Sequence, residues 1–263
     1  MAIFAYDALQ KEHVLITGAT GGIGSETAKV LAGMGASITL TGRRTNRLEQ
    51  LAAEIHEVTP DPQVFTYKAD LGNETERNEL VTSAEKECGP ISLLVNNAGI
   101  SGGGPVEQLE QEDMERVMHL NYTATVLLTQ LVYQSMKQRK KGAIVNVTSL
   151  SGLRGTYGGT AYAGSKFAMT GFTHSLALEA IEHGVRVNAV SPGFVDTEMG
   201  RASAQKKADR QGRSHSEVVK ESIPSGRMTK PREVANTIAF LLTDAAENII
   251  GESVKISGGS VLR

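Results

Sequence analysis

The run TGATGGIG at residues 17–24 follows a short apolar stretch, VLIT (14–17), and leads into a long amphipathic one, IGSETAKVLAGMG. Strand, glycine-rich turn and helix in that order leave few choices of fold, because the turn is tight and the helix must lie back on its strand. Gly18 permits the turn. Gly22 and Gly24 let backbone approach a pyrophosphate and let helix pack on strand. The helix N-terminus adds free N–H groups and partial positive charge where phosphates sit. Two spacings fit equally well at this point: Gly18, Gly22 and Gly24, or Gly18, Gly21 and Gly24.

The rest of the chain repeats the alternation. Predicted strands are VLIT (14–17), SITLT (37–41), VFTYK (64–68), SLLVN (92–96), AIVNVT (143–148), VRVNAV (185–190) and SVKIS (253–257), with helical patterns between them. Strands joined by helical crossovers make a parallel sheet, and nearly continuous apolar strands are those covered on both faces. No composition shift divides residues 1–263, so one dinucleotide-binding and catalytic domain is expected. Residues 198–222, EMGRASAQKKADRQGRSHSEVVKES, break the rhythm: they are polar, basic and weakly periodic. They follow the C-terminal end of a strand, where open parallel sheets bind ligands, and are expected to form a mobile substrate lid.

A net charge of -2 without a long basic run argues against nucleic acid or an anionic membrane as partner. KQRKK (137–141) reads as a solvated helix end. Cys88 is the only cysteine, which rules out an intrachain disulfide and points to a reducing, cytoplasmic setting. The start, MAIFAYDALQKEH, has no basic stretch followed by a long apolar run, so neither signal peptide nor membrane span is expected. The six histidines show no ligand spacing, and no metal is expected.

The second strand ends Thr41-Gly42-Arg43-Arg44. An NAD site usually places Asp or Glu there to hold the adenosine ribose. Gly42 removes the group that repels a 2′-phosphate, and Arg43 supplies one that pairs with it, a contact worth about 1.5–3 kcal/mol. NADP(H) is the expected cofactor, with NAD(H) possible.

Tyr162 and Lys166 are four residues apart, one helical turn, and Ser149 stands thirteen residues before Tyr162. A positive charge about 4 Å from a phenolate contributes roughly 4 kcal/mol at an effective dielectric near 20. That brings the phenol down about three pKa units, toward ~7. Ser149, carried on a strand end, could then hold a substrate oxygen.

These motifs together resemble the short-chain dehydrogenase/reductase family nearly end to end: TGATGGIG, Asp70-Leu71, NNAG (96–99), Asn121, Ser149, Tyr162 to Lys166, PGFVDT (192–197) and IPSGRMTKPREVA (223–235). The length and NNAG favour the shorter branch, with Gly18, Gly22 and Gly24 as the working glycines. The resemblance implies a Rossmann-type doubly wound sheet of seven parallel strands in the order 3-2-1-4-5-6-7, with helices on both faces. It implies that Tyr162 is general acid in carbonyl reduction and base in alcohol oxidation. It has Lys166 lower the phenol pKa and bond the nicotinamide ribose, and Ser149 hold the substrate oxygen. Asn121 sits in a distorted helix and holds a water linking Lys166 to solvent. Asp70 and the Leu71 backbone contact adenine, Asn97 and its neighbours border the cofactor, and Thr197 bonds the carboxamide after a turn shaped by Pro192 and Gly193. With Thr20, Ile23, Ala98, Gly99, Arg44 and Val195, these complete the implied cofactor set. The last strand, within GESVKISGG (251–259), implies a homotetramer, or a homodimer.

IPSGRMTKPREVA is most similar to 3-oxoacyl-carrier-protein reductases, but the segment recurs across many alcohol and sugar dehydrogenases of the branch. Those reductases dock the acidic carrier through basic residues on two helices. Lys140 matches one site; Leu178 stands where the other has Arg. Three functions are therefore open: an NADP(H)-dependent reductase of a small carbonyl compound or dehydrogenase of a secondary alcohol; a 3-oxoacyl-carrier-protein or 3-oxoacyl-CoA reductase; and a non-catalytic NADP(H)-binding redox sensor.

Overall fold

The computed structural model describes residues 3–261. Strands and helices alternate: β1 (His13–Thr17), α1 (Gly22–Ala32), β2 (Ser37–Gly42), α2 (Thr45–Val58), β3 (Val64–Lys68), α3 (Glu74–Cys88), β4 (Leu93–Asn96), α4 (Gln111–Met118), a π-helical turn (His119–Ala124), α5 (Thr125–Arg139), β5 (Gly142–Val147), α6 (Thr160–Ile181), β6 (Val185–Pro192), α7 (Glu198–Gln211), α8 (His215–Ser222), α9 (Pro231–Leu242) and β7 (Ser253–Ile256). The seven strands form one sheet in the order β3-β2-β1-β4-β5-β6-β7, every pairing parallel. The order reverses between β1 and β4, which opens a crevice at their carboxyl ends. Seven strands were expected, and each lies within two residues of its predicted span.

The sheet has a core on each face. Val14 and Ile16 of β1 pack with Leu31, Leu48 and Ile238 on one side, while Leu15 packs with Leu80, Leu128 and Ala177 on the other. Alternate residues of one strand thus serve opposite cores, which is why β1 is apolar throughout. The edge strands differ: β3 and β7 are only half-buried, and polar Thr66, Tyr67, Ser253 and Lys255 sit within them. Two buried polar features pin the sheet. Asn96 donates to Thr129 Oγ1 and to Asn146 Oδ1, both at 2.8 Å, and Asn146 donates to Thr173 Oγ1 at 2.9 Å. His13 is a core residue: its Nδ1 lies 2.6 Å from the Gly89 carbonyl and Nε2 2.8 Å from Thr39 Oγ1. A carbonyl only accepts, so Nδ1 carries the proton and Thr39 donates to Nε2.

The polar stretch at 198–222 is helical. Thr197 caps α7 through Gly200 N–H, Gly212 closes it at φ +61°, and Ser214 and Glu217 form a capping box on α8. The pair stands on a small cluster of Ala204, Val219 and Ile223, against Phe194 and Met228. In α7 only Ala204 and Ala208 are buried, too little apolar surface to show as a period in the sequence. The KQRKK run is an exposed helix end as expected, closed by Lys140 at φ +52°.

Candidate active site

The glycine loop closes β1 onto α1. Gly18 lies at φ +59°, in the left-handed region that glycine adopts without strain. A methyl group on Gly24 would stand 2.5 Å from the Gly18 carbonyl and 2.8 Å from Asn97 Nδ2, and one on Gly22 would meet the Thr197 side chain at 2.6 Å. At Gly21 it would meet only the Gly18 carbonyl, at 3.4 Å. Packing therefore selects Gly18, Gly22 and Gly24. We expect Gly24→Ala to lose roughly 2–4 kcal/mol of stability, measured by chemical denaturation, and to bind dinucleotide more weakly, because backbone rather than a flexible side chain must yield. Gly21→Ala is the tolerant control.

Helix α1 begins without a side-chain cap and without an acidic residue in its first turn, so the N–H groups of Gly22, Ile23 and Gly24 are free for an anion. These residues fit a pyrophosphate. Thr17 is a site residue that the motifs did not single out: its buried hydroxyl accepts from the N–H groups of Asn97 and Ala98, both at 3.0 Å. Asn97 Nδ2 donates to the carbonyls of Thr17 and Gly18. NNAG is thereby fastened to the glycine loop, and a β1 threonine preceding the turn was the available signal.

A cavity of about 440 Å³ is lined by Arg43, Asp70, Gly72, Asn73, Ile100, Arg116, His119 and Leu120. The two arginines after β2 separate here. Arg44 donates to Thr20 Oγ1 at 3.1 Å and braces the glycine loop, whereas Arg43 is exposed on the cavity wall. Asp70 Oδ1 accepts from Gly72 N–H at 2.9 Å. Leu71 and Val195 bury their side chains in the cores, so only their backbones can face a cofactor. Arg116, His119 and Leu120 went unread because only folding brings the end of α4 and the following π-helical turn to the cavity that Arg43 lines; their i, i+3, i+4 spacing is the one trace in the sequence.

At the C-terminal ends of β4 and β5 the reactive groups converge. Asn121 lies in the π-helical turn and is buried. Its Oδ1 accepts from Ile100 N–H at 2.8 Å, and its Nδ2 donates to the Ile100 carbonyl at 2.9 Å and to Ser165 Oγ at 3.0 Å. Ser165 in turn donates to the Tyr162 carbonyl at 2.7 Å. The α4–α5 segment is thus tied to the start of α6, which begins two residues before Tyr162. Gly99 is the close-packed junction: a methyl there would stand 3.2 Å from Asn121 Oδ1 and 3.6 Å from Lys166 Nζ. Ser149 accepts from Ser151 N–H at 3.1 Å and faces the Tyr162 phenol.

Lys166 departs from expectation. Its ammonium donates to the Val147 carbonyl at 2.9 Å and sits 5.7 Å from the centroid of the Tyr162 ring. Burial pushes the Tyr162 phenol up, with the Ser149 hydroxyl pulling it partly back, and pushes Lys166 down to about 8. Desolvation outweighs the charge attraction that the four-residue spacing suggested. No carboxylate pairs with Lys166 among the described residues.

Across the crevice, Pro192 ends β6, Gly193 N–H donates to the Ile256 carbonyl at 3.0 Å, and the Thr197 hydroxyl caps α7. Its methyl group packs against Gly22, so α7 starts on the glycine loop itself. Among the described residues no cluster of His, Cys, Asp or Glu could hold a metal ion, and no helix is long and apolar enough to cross a membrane.

A parallel sheet with this crossover point, a glycine cradle for a dinucleotide and a Ser-Tyr-Lys group at the strand ends defines an oxidoreductase of the nicotinamide-dependent class. Residues 12–208 match the family model for short chain dehydrogenase, and the chain belongs to that family. It is 36% identical to Nodulation protein G of Rhizobium sp. (strain N33) over 251 residues, 95% of this chain and 97% of that one. Among solved structures it is similar to a substituted actinorhodin polyketide ketoreductase with NADPH (TM-score 0.90, 32% identity, 95% and 97% of the two chains). It is equally similar to NAD+-bound xylitol dehydrogenase (TM-score 0.90, 30% identity, 95% and 99%).

Proposed function

We propose that this enzyme is an NADP(H)-dependent reductase of a carbonyl compound, with the reverse oxidation of a secondary alcohol at the same site. The observation that carries this reading is the convergence of Ser149, Tyr162, Lys166 and Asn121 beside the glycine cradle. A bound nicotinamide dinucleotide supplies the hydride to the carbonyl carbon. Ser149 and Tyr162 donate hydrogen bonds to the carbonyl oxygen, where negative charge grows, so they act most strongly in the transition state. Tyr162 then gives its proton to that oxygen. Lys166, easily discharged at about pH 8, holds the nicotinamide ribose and supports the phenolate left behind. Asn121, locked to Ile100 and Ser165, positions a water that reaches Lys166 from solvent. Gly22, Ile23 and Gly24 hold the pyrophosphate, Asp70 and Leu71 the adenine, and Thr197 the carboxamide.

Arg43 supports NADP(H) over NAD(H), since it is exposed on the adenosine cavity with no carboxylate at the end of β2. The two structural neighbours, one with NADPH and one with NAD+, leave that choice to this chain's own residues. Arg43→Ala is expected to weaken NADPH binding about ten- to a hundredfold while NADH affinity stays within about twofold, as read by fluorescence titration. Equal losses for both cofactors would overturn the role of Arg43.

The 3-oxoacyl thioester reading draws on IPSGRMTKPREVA. Leu178 weakens its carrier-docked form: it is 74% exposed on α6 and presents no charge to an acidic carrier. Turnover of ketones, sugars and 3-oxoacyl thioesters, scored by NADPH consumption, decides between the two. Phe167, Leu178 and Ile181 leave an exposed apolar stripe on α6, which supports assembly into a homotetramer or homodimer, testable by sedimentation. The lone, half-buried Cys88, its thiol pKa raised by burial, agrees with a reducing cytoplasmic setting.

A further inference from the structure

Helix α7 follows the C-terminal end of β6 and is fastened at both ends. Its first end lies on the glycine loop, through Thr197 and Gly22. Its last turn carries Arg210, whose guanidinium lies 4.0 Å from the centroid of the Tyr157 ring. Tyr157 belongs to the loop joining Ser149 to Tyr162. That loop is held from inside by a 3.0 Å bond between Ser151 and Thr156 hydroxyls, and it abuts Gly104 and Pro105 at Gly158. The Arg210–Tyr157 stack thus joins α7 to the loop between Ser149 and Tyr162.

A basic residue at a helix C-terminus is common, because it complements the helix dipole. That alone does not explain an aromatic ring left 66% exposed in a glycine-rich loop, with no hydrogen bond to its hydroxyl and with Arg210 as its stacking partner. Nor is Arg210 engaged elsewhere: it joins no ion pair among the described residues, and neighbouring Asp209 accepts from Gln205. Each side chain has one specific contact, and it is the other.

We propose that Arg210 and Tyr157 form a clasp that holds the C-terminal end of α7 against the loop between Ser149 and Tyr162 and so sets how tightly a carbonyl substrate is enclosed. They are positioning residues, and the proposal rests on reading 198–222 as the lid of a carbonyl-reducing cleft.

Two measurements test it. With NADPH and a small 3-oxo ester, ethyl acetoacetate, Tyr157→Ala and Arg210→Ala should each raise the substrate KM about two- to fivefold. The double variant should be no worse than the worse single one, the KM for NADPH should stay put, and Tyr157→Phe should match the parent enzyme. The second measurement needs no turnover. The chain has no tryptophan, so Tyr157→Trp provides its sole indole, which keeps the stack. Adding Arg210→Ala should increase acrylamide quenching of that indole in the NADP+-bound protein. Unchanged quenching, or additive KM effects in the double variant, overturns the clasp. Increased quenching in a protein that reduces no carbonyl compound would retain the clasp and discard the proposed reaction instead.

Discussion

Tyr162→Phe is expected to lower carbonyl reduction about 10²–10⁴-fold while the protein still folds and binds NADPH. The substitution removes one oxygen and keeps the ring. Ser149 keeps its bond from Ser151 N–H, and the Asn121–Ser165 link to the Tyr162 carbonyl is made by backbone, so the site's frame persists. What disappears is the hydroxyl that the proposed reaction uses as its proton donor. Lys166 cannot replace it, because its ammonium points to the Val147 carbonyl. Single-turnover oxidation of NADPH, followed by its absorbance, is the measurement, with cofactor titration as control. More than a tenth of parent activity would place the proton donor elsewhere. The pH profile carries the same signature. A phenol with a raised pKa keeps its proton through neutral pH, so reduction should hold across that range and decline only on the alkaline side.

Lys166→Met should move activity and stability in opposite directions. The ammonium is buried, 5% exposed, and its pKa falls from 10.5 to about 8 on folding. The folded state therefore binds fewer protons than the unfolded chain between those values, and stability rises with pH there. The full cost of burying the charge is present below pH 8 and fades as pH climbs toward the unfolded value. Two and a half pKa units correspond to about 3 kcal/mol, part of which the bond to Val147 offsets. We expect the cofactor-free variant to be about 1–3 kcal/mol more stable than the parent at pH 7, to lose that advantage near pH 10, and to lose activity by at least about a hundredfold. Urea melts at pH 7 and pH 10 check it; a variant less stable at pH 7 would mean that Lys166 is not carried as an uncompensated buried charge.

The parts of the candidate site that were legible in the sequence share one property: each depends on contacts within a few residues or within one strand–turn–helix unit. The glycine-rich turn between β1 and α1 is of this kind, as is the single helical turn separating Tyr162 from Lys166. The choice between Gly21 and Gly22 was not local. It depends on Thr197, which lies more than 170 residues away and packs its methyl against Gly22. The pKa balance at Tyr162 and Lys166 was misjudged for a related reason: spacing sets which groups are near, but not how much water is removed from them. Likewise α7 and α8 showed no clear helical period, because few of their own residues are buried and part of their apolar support, Phe194 and Met228, lies outside the segment.

By itself the sequence determined the alternation of strand and helix, and hence the parallel sheet. It also determined the glycine turn and the placing of Tyr162 and Lys166 one turn apart on a helix, because backbone sterics and hydrophobic period act over short stretches of chain. Only the tertiary structure decided that Arg43 faces an open cavity while Arg44 braces Thr20, that Arg116 and His119 line the same cavity, and that Arg210 reaches Tyr157. Those pairings join residues from separate crossovers, and no local pattern encodes a distance that the folded sheet alone sets.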